Sequence, residues 1–194
     1  IYAKELVRAR SEKRVVGYPL WDEGNSVRCA WDIGASDATS VWFYQFVGGM
    51  IQFIDYYESI SEDPRDLVKM INSKPYNYEA QILPHDAEHK KWTTDGVKSQ
   101  KQILEQLGLK NTKVQTVSQS LRDDLHAVKM KFNKCVFDND KCEEGLKALK
   151  QYHRKYNEDR NTFSDTPHHD WACHGADAFR YAIIDAYKNN SHEK

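Results

Sequence analysis

Three β-rich runs follow one another with no room for a helix between them: Val27 to Ile33, Thr39 to Val47 and Met50 to Tyr57. Each is dense in β-branched or aromatic residues, as strands packed on a core are. Gly48-Gly49 separates the last two runs, where a two-residue hairpin needs positive φ at both positions. An antiparallel meander is expected. The pattern then changes to alternating helix and strand. Asp63 as N-cap, Pro64 at the first helical position and Asp66 in the first turn open a helix with Leu67, Val68 and Ile71 on one face, and Pro75 stops it. Tyr78 to Leu83 reads as a strand ending at Pro84-His85-Asp86. A helix carrying Val97, Leu104 and Leu107 stops at Gly108, and Val114 to Val117 reads as a fifth strand. Two helices follow, one with Leu121, Leu125, Val128 and Phe132, the other with Leu146, Leu149, Tyr152 and Tyr156. The last helix runs from about Trp171 to Tyr187. This order predicts an α/β fold with a mixed five-stranded sheet flanked by helices.

With 194 residues, 40% hydrophobic and 12% aromatic, the chain can fill one core and is short for two. Residues 1–26 read as an amphipathic helix and an irregular connector with Gly17, Pro19 and Gly24, and the sheet-bearing domain is expected over 27–194. The first residue is Ile rather than Met, which suggests a fragment or processed chain with a partner domain upstream. No apolar run approaches the ~20 residues that span a bilayer, and the charged start is unlike a signal peptide, so a soluble intracellular protein is expected. Cys29, Cys135, Cys142 and Cys173 form no C-x-x-C pair, which favours reduced thiols over a zinc ribbon or disulfide framework. No G-x-x-x-x-G-K-[ST] loop occurs, which argues against ATP hydrolysis by this chain itself.

The chemistry lies in three distant acids. Asp32 closes the first strand above Gly34, Asp86 closes the fourth, and Asp177 projects from the last helix in a stripe with Tyr181 and Ile184. An acid in such a stripe is costly unless its charge is compensated. Asp177 alone could be a buried partner of Arg180, and Asp32 or Asp86 alone could end a plain turn. As a set on one sheet they form an oxygen-donor site suited to Mg²⁺ or Mn²⁺. Two such ions ~3.5–4 Å apart can activate water and neutralise the leaving oxygen of a phosphodiester. The chain thus reads as a metal-dependent nuclease. Asp37 could hold a water or cap a turn. His174, three residues before Asp177, shares its side of a helix and could orient a metal-bound water, shuttle a proton or serve only as a helix-start histidine. The net charge of −1 gives no basic footprint, but Lys90, Lys91, Lys98 and Lys101 follow Asp86 closely and read as DNA-backbone contacts or as a solvated face. A zinc site from His168, His169, Cys173 and His174 is disfavoured, because four ligands so close in sequence cannot readily surround one ion.

Tyr2-Ala-Lys4, Ala30-Trp-Asp-Ile-Gly34 with Asp37, Asp55-Tyr-Tyr57, Leu83-Pro-His-Asp-Ala87 and, above all, His169-Asp-Trp-Ala-Cys-His-Gly-Ala-Asp-Ala-Phe-Arg-Tyr181 carry a resemblance over nearly the whole chain. It resembles the nuclease domain of the large terminase subunit of tailed bacteriophages, a branch of the ribonuclease H-like superfamily. The resemblance implies one metal-binding acid each from the first strand, the fourth strand and the carboxy-terminal helix, which map onto Asp32, Asp86 and Asp177. It implies a two-metal endonuclease using Mg²⁺ or Mn²⁺ that cuts concatemeric viral double-stranded DNA in the host cytoplasm. An upstream ATPase domain, a small terminase subunit and a portal are the implied partners. A junction resolvase or integrase core would share the acids, and a non-catalytic module docking on portal or DNA would make them incidental.

Overall fold

The structure is a computed structural model that describes residues 1–34, 38–60, 63–94, 96–116, 120–159 and 161–189. Helix α1 (Ala3–Ser11) and the short strand β1 (Val15–Val16) precede the meander β2 (Val27–Ile33), β3 (Ala38–Val47) and β4 (Met50–Ile60). Then come α2 (Pro64–Ser73), β5 (Tyr78–Leu83), a 3₁₀ turn His85–Glu88, the hairpin β6 (Lys90–Thr93) and β7 (Gly96–Ser99), α3 (Gln100–Gln106) and β8 (Thr112–Val114). The chain continues through α4 (Leu121–Lys131), β9 (Cys135–Asp138), α5 (Glu143–Gln151), the hairpin β10 (Arg154–Asn157) and β11 (Thr162–Pro167), and α6 (Ala172–Asn189).

The sheet order is β1-β9-β4-β3-β2-β5-β8. Its five expected strands are contiguous as β4-β3-β2-β5-β8, with the meander antiparallel and β5 and β8 parallel to β2. Gly48 and Gly49 both take positive φ, 57° and 74°, as the tight hairpin requires. Two further strands, β9 and β1, pair in parallel on the free edge of β4, so the sheet has seven strands. Four residues between helical stripes and a two-residue segment are too short to show a strand period, which is why the sequence reading stops at five.

Helices cover both faces. Leu6, Leu125, Val128, Leu146, Leu149, Phe179 and Ile183 pack with Ala30, Trp42, Phe53 and Tyr56 on one side, bringing α1, α4, α5 and α6 together. Leu67, Val68, Ile71 and Leu104 pack with Cys29, Trp31, Val41 and Phe43 on the other. Tyr2, Leu6 and Ala9 belong to the first cluster, so α1 is built into the core. Two helical expectations shift. Val97 lies in β7, and α3 starts behind a Ser99–Gln102 capping box. Tyr156 lies in β10, because α5 ends at Gln151. Both exposed hairpins were read as helix or connector because neither buries an alternating face. The fifth strand begins at Thr112 rather than Val114, and Val117 lies outside the described residues. All four cysteines are buried and free, and burial pushes their thiols up. No helix among the described residues is long and apolar enough to cross a membrane.

Candidate metal and nucleic-acid site

Asp32 comes at the end of β2, where it faces the first turns of α6. His174 Nδ1 lies 2.9 Å from Asp32 Oδ2, with both side chains largely enclosed. Burial raises the Asp32 pKa from its ordinary 3.8, the His174 bond opposes the rise, and the charge of Asp177 adds to it. Asp32 and Asp177 are therefore close enough to couple. The α6 face also supplies the tether for Asp177: Arg180 Nη2 donates to its Oδ1 at 3.1 Å, and Arg180 Nη1 to Asp124 of α4 at 3.0 Å. Burial works against the Arg180 charge, and the two carboxylates more than offset it. Of the two readings of Asp177, the pairing with Arg180 is present, and the side chain is 30% exposed rather than buried.

The close approach of α6 to the sheet depends on a glycine. A Cβ on Gly175 would stand 2.7 Å from the Tyr56 hydroxyl, and Trp42 Nε1 donates to the Gly175 carbonyl at 2.8 Å. Any larger residue would push the helix start, and His174 with it, away from Asp32.

Glu58 is a further acid on this face that the sequence reading did not single out. Ser40 of β3 stands opposite Asp32 on one side and Glu58 of β4 on the other, and directly opposed residues share a sheet face. Ser40 Oγ donates to Glu58 Oε2 at 3.0 Å, and the Tyr56 hydroxyl donates to the same oxygen at 2.5 Å. A row of Asp32, Ser40 and Glu58 thus crosses three strands on the face that α6 covers. The pairing register that brings Glu58 to this face was not visible in the sequence.

Asp86 is placed differently. It sits exposed in the 3₁₀ turn beyond β5, one strand over from Asp32. A cleft of about 290 Å³, lined by His85, Gln115, Asp124, Arg180 and Tyr181 among others, opens beside that turn. A larger cleft, about 550 Å³ along Asp123, His126 and Lys131, shares no lining residue with Asp32, Asp86 or Asp177. Among the described residues, the oxygens of Asp32, Asp86 and Asp177 are not all within 4.8 Å of one another; His153, His168 and Asp170 alone form such a trio. Asp37 lies outside the described residues. The four-ligand set of His168, His169, Cys173 and His174 does not come together within that distance either.

The four lysines are carried by the hairpin that follows Asp86 and by α3. Lys91 and Lys98 oppose each other across β6 and β7, Lys90 opposes Ser99, and Lys101 pairs with Glu88 at 3.2 Å. Like charges opposite one another are unfavourable in isolation, and a phosphate between them would relieve the repulsion. Trp92, 88% exposed, stands next to Lys91 and was not anticipated.

No family model matches the chain, and no curated protein matches it in sequence. Solved structures do. The nuclease domain of the P22 large terminase superposes over 91% of this chain and 89% of that domain with a TM-score of 0.67 at 14% identity. This chain has the large-terminase nuclease fold. The nuclease domain of the large terminase g2p from bacteriophage SPP1, solved with bound Mn, matches over 83% of this chain and 86% of that domain, TM-score 0.64 and 13% identity. The large terminase of a thermophilic bacteriophage, solved in complex with ATP-gamma-S, matches over 89% of this chain, TM-score 0.64 and 19% identity. The chain spans only 43% of that larger protein. In this chain β2 lies between β3 and β5, and the start of α6 reaches the end of β2 through the Asp32–His174 contact.

Proposed function

We propose that this chain is a metal-dependent endodeoxyribonuclease, the cutting part of a viral genome-packaging terminase whose ATPase domain precedes it. The observation that carries the reading is the bond between Asp32 and His174, on the turn of α6 that precedes Asp177, in a fold shared with isolated terminase nucleases. The donor set fits hard divalent cations, because Asp32, Asp86 and Asp177 all offer carboxylate oxygens and the nearby His174 imidazole is engaged by Asp32. Mg²⁺ or Mn²⁺ held between Asp32 and Asp86, and a second ion between Asp32 and Asp177, would supply an activated water and neutralise the departing 3′ oxygen.

The chain's own residues supply positioning. Arg180 holds the Asp177 carboxylate at a fixed orientation through a fork shared with Asp124. His174 orients Asp32 and is placed to hold a proton beside the reacting phosphate. Glu58, held by Ser40 and Tyr56, adds negative charge to the same face. Lys90, Lys91 and Lys98 on the hairpin would contact phosphates, a sequence-independent mode that leaves site choice to partners such as a small subunit. The portal and that small subunit enter this reading as partners of the whole packaging protein.

Supercoiled plasmid incubated with the purified chain tests the reading. Nicking or linearisation is expected with added Mg²⁺ or Mn²⁺, and loss of it with a chelator or with Asp32→Asn. Cleavage that persists in chelator, or in Asp32→Asn, would remove the two-metal mechanism.

A further inference from the structure

We infer that His153, His168 and Asp170 form a second, separate site for a divalent transition-metal ion, which fastens the β10–β11 hairpin to the entry of α6. One ligand atom from each of the three lies within 4.8 Å of the other two, the sole such group among the described residues. The site does not depend on the nuclease reading.

The chain builds the site from both ends of one hairpin. His153 directly precedes β10 and His168 directly follows β11, and the His168 amide donates to the His153 carbonyl at 2.8 Å. That bond pins the two backbones together and sets the imidazoles 5.1 Å apart, centroid to centroid. Asp170 follows two residues later as the cap of α6: its Oδ1 accepts from the Ala172 amide at 3.0 Å, while its Oδ2 lies 3.8 Å from His153 Nδ1. His153 Nδ1 is also 2.8 Å from the Gln151 carbonyl. That bond makes Nδ1 the N–H and leaves Nε2 with its lone pair as the ligand atom, so the 3.8 Å approach of Asp170 is to the ring and not to the ligating nitrogen.

The donor chemistry selects the ion. Two imidazoles and one carboxylate suit Zn²⁺, Co²⁺ or Ni²⁺ and not Mg²⁺, which prefers an all-oxygen shell. Ligand atoms around a tetrahedral Zn²⁺ at its usual bond lengths stand about 3.3 Å apart. Closing from within 4.8 Å to that spacing asks for small rotations of the side chains, of which His153 is 54% exposed and Asp170 keeps Oδ2 outside its bond to the Ala172 amide. Three protein ligands leave a coordination position for water. The hairpin itself contributes little to the core, with β10 exposed throughout and β11 nearly so, so a clamp at its base is what would order it. Asp170 is four residues from His174, so the ion would also steady the turn of α6 that meets Asp32.

The test is Zn²⁺ titration by calorimetry, with Co²⁺ absorption as a second readout, on the full chain in excess Mg²⁺. One equivalent of Zn²⁺ is expected, retained in Asp32→Asn/Asp177→Asn, where the carboxylate site is removed. In His153→Gln/His168→Gln the affinity should fall by more than the roughly 10- to 100-fold that loss of an outer-shell partner costs. Should that double variant not fold, Asp170→Asn, which keeps the capping oxygen, should weaken binding in the same sense. Absence of a tight equivalent in the unmodified chain, or an equivalent that vanishes with Asp32 and Asp177 but survives the histidine and Asp170 changes, would overturn the site.

Discussion

At the scale of single residues, Asp177 and Asp32 separate metal binding from packing. Asp177→Asn removes a ligand charge yet leaves Arg180 its bond to Asp124. Metal-dependent plasmid cleavage should be lost, while stability changes by no more than about 1 kcal/mol, the range of a partly exposed ion pair. Cleavage and melting temperature measured in parallel check this; an active variant would reassign Asp177 to packing alone. The Asp32 carboxyl makes a pH prediction. Its folded pKa is raised above 3.8, so the folded chain holds this proton more tightly than the unfolded chain does. The stabilisation this gives is fully present below the unfolded pKa and is lost as pH rises through the raised folded value. In chelator, the melting temperature of the unmodified chain should therefore fall relative to Asp32→Asn across that window, and parallel curves would contradict it. Asp32 and Asp177 were singled out in the sequence because an acid at a strand end or in an apolar stripe breaks a pattern. Glu58 was not, because the strand reads as ending at Tyr57 and only the register sets Glu58 beside Ser40.

At the scale of elements, α6 is the part on which the site hangs, and a buried charge cluster docks it. Arg28 of β2 donates to both oxygens of Asp185 at 2.7 and 2.8 Å, and the Tyr44 hydroxyl adds a third bond at 2.7 Å. Arg28 also reaches Glu79 of β5 at 2.6 Å. Asp185→Ala would leave Arg28 buried without its main partner, a loss of roughly 3–5 kcal/mol. A fall in melting temperature of the order of 10 °C is expected for a chain of this size, and a fall of only a degree or two would mean that α6 docks through its apolar face alone. The hairpins were illegible at this scale for a physical reason: their side chains face water, so no core imposes a period on them.

For the whole molecule, a formal charge of −1 means that the proposed binding of DNA would work through a local patch rather than a general field. The hairpin lysines are that patch in the proposed reading. Replacing Lys90, Lys91 and Lys98 by Ala should weaken duplex binding equally for unrelated sequences. It should also flatten the dependence of log K on log salt by up to about 0.9 for each phosphate left without its lysine. Fluorescence anisotropy at several salt concentrations measures this, and an unchanged slope would make them a solvated face.

Side-chain chemistry along the chain determined much by itself. The glycine pair gave the hairpin, the β-rich runs gave the meander, and the caps and apolar stripes gave the main helices, all of them local preferences that survive folding. Asp32, Asp86 and Asp177 were named from that order. Where the strands slide relative to one another was decided only in three dimensions. From Val47↔Met50 to Tyr44↔Phe53 the β3–β4 pairing runs one residue for one, and then Ile54 is left over as a bulge, so that Phe43 meets Asp55 and Ser40 meets Glu58. Without that extra residue Ser40 would face Tyr57, and Glu58 would point to the opposite side of the sheet. The same holds for His153, fifteen residues from His168 along the chain and brought beside it by a hairpin that no core periodicity announces. Local propensity carries no information on register or on contacts between distant segments, because both are settled by packing against partners that the local sequence does not contain.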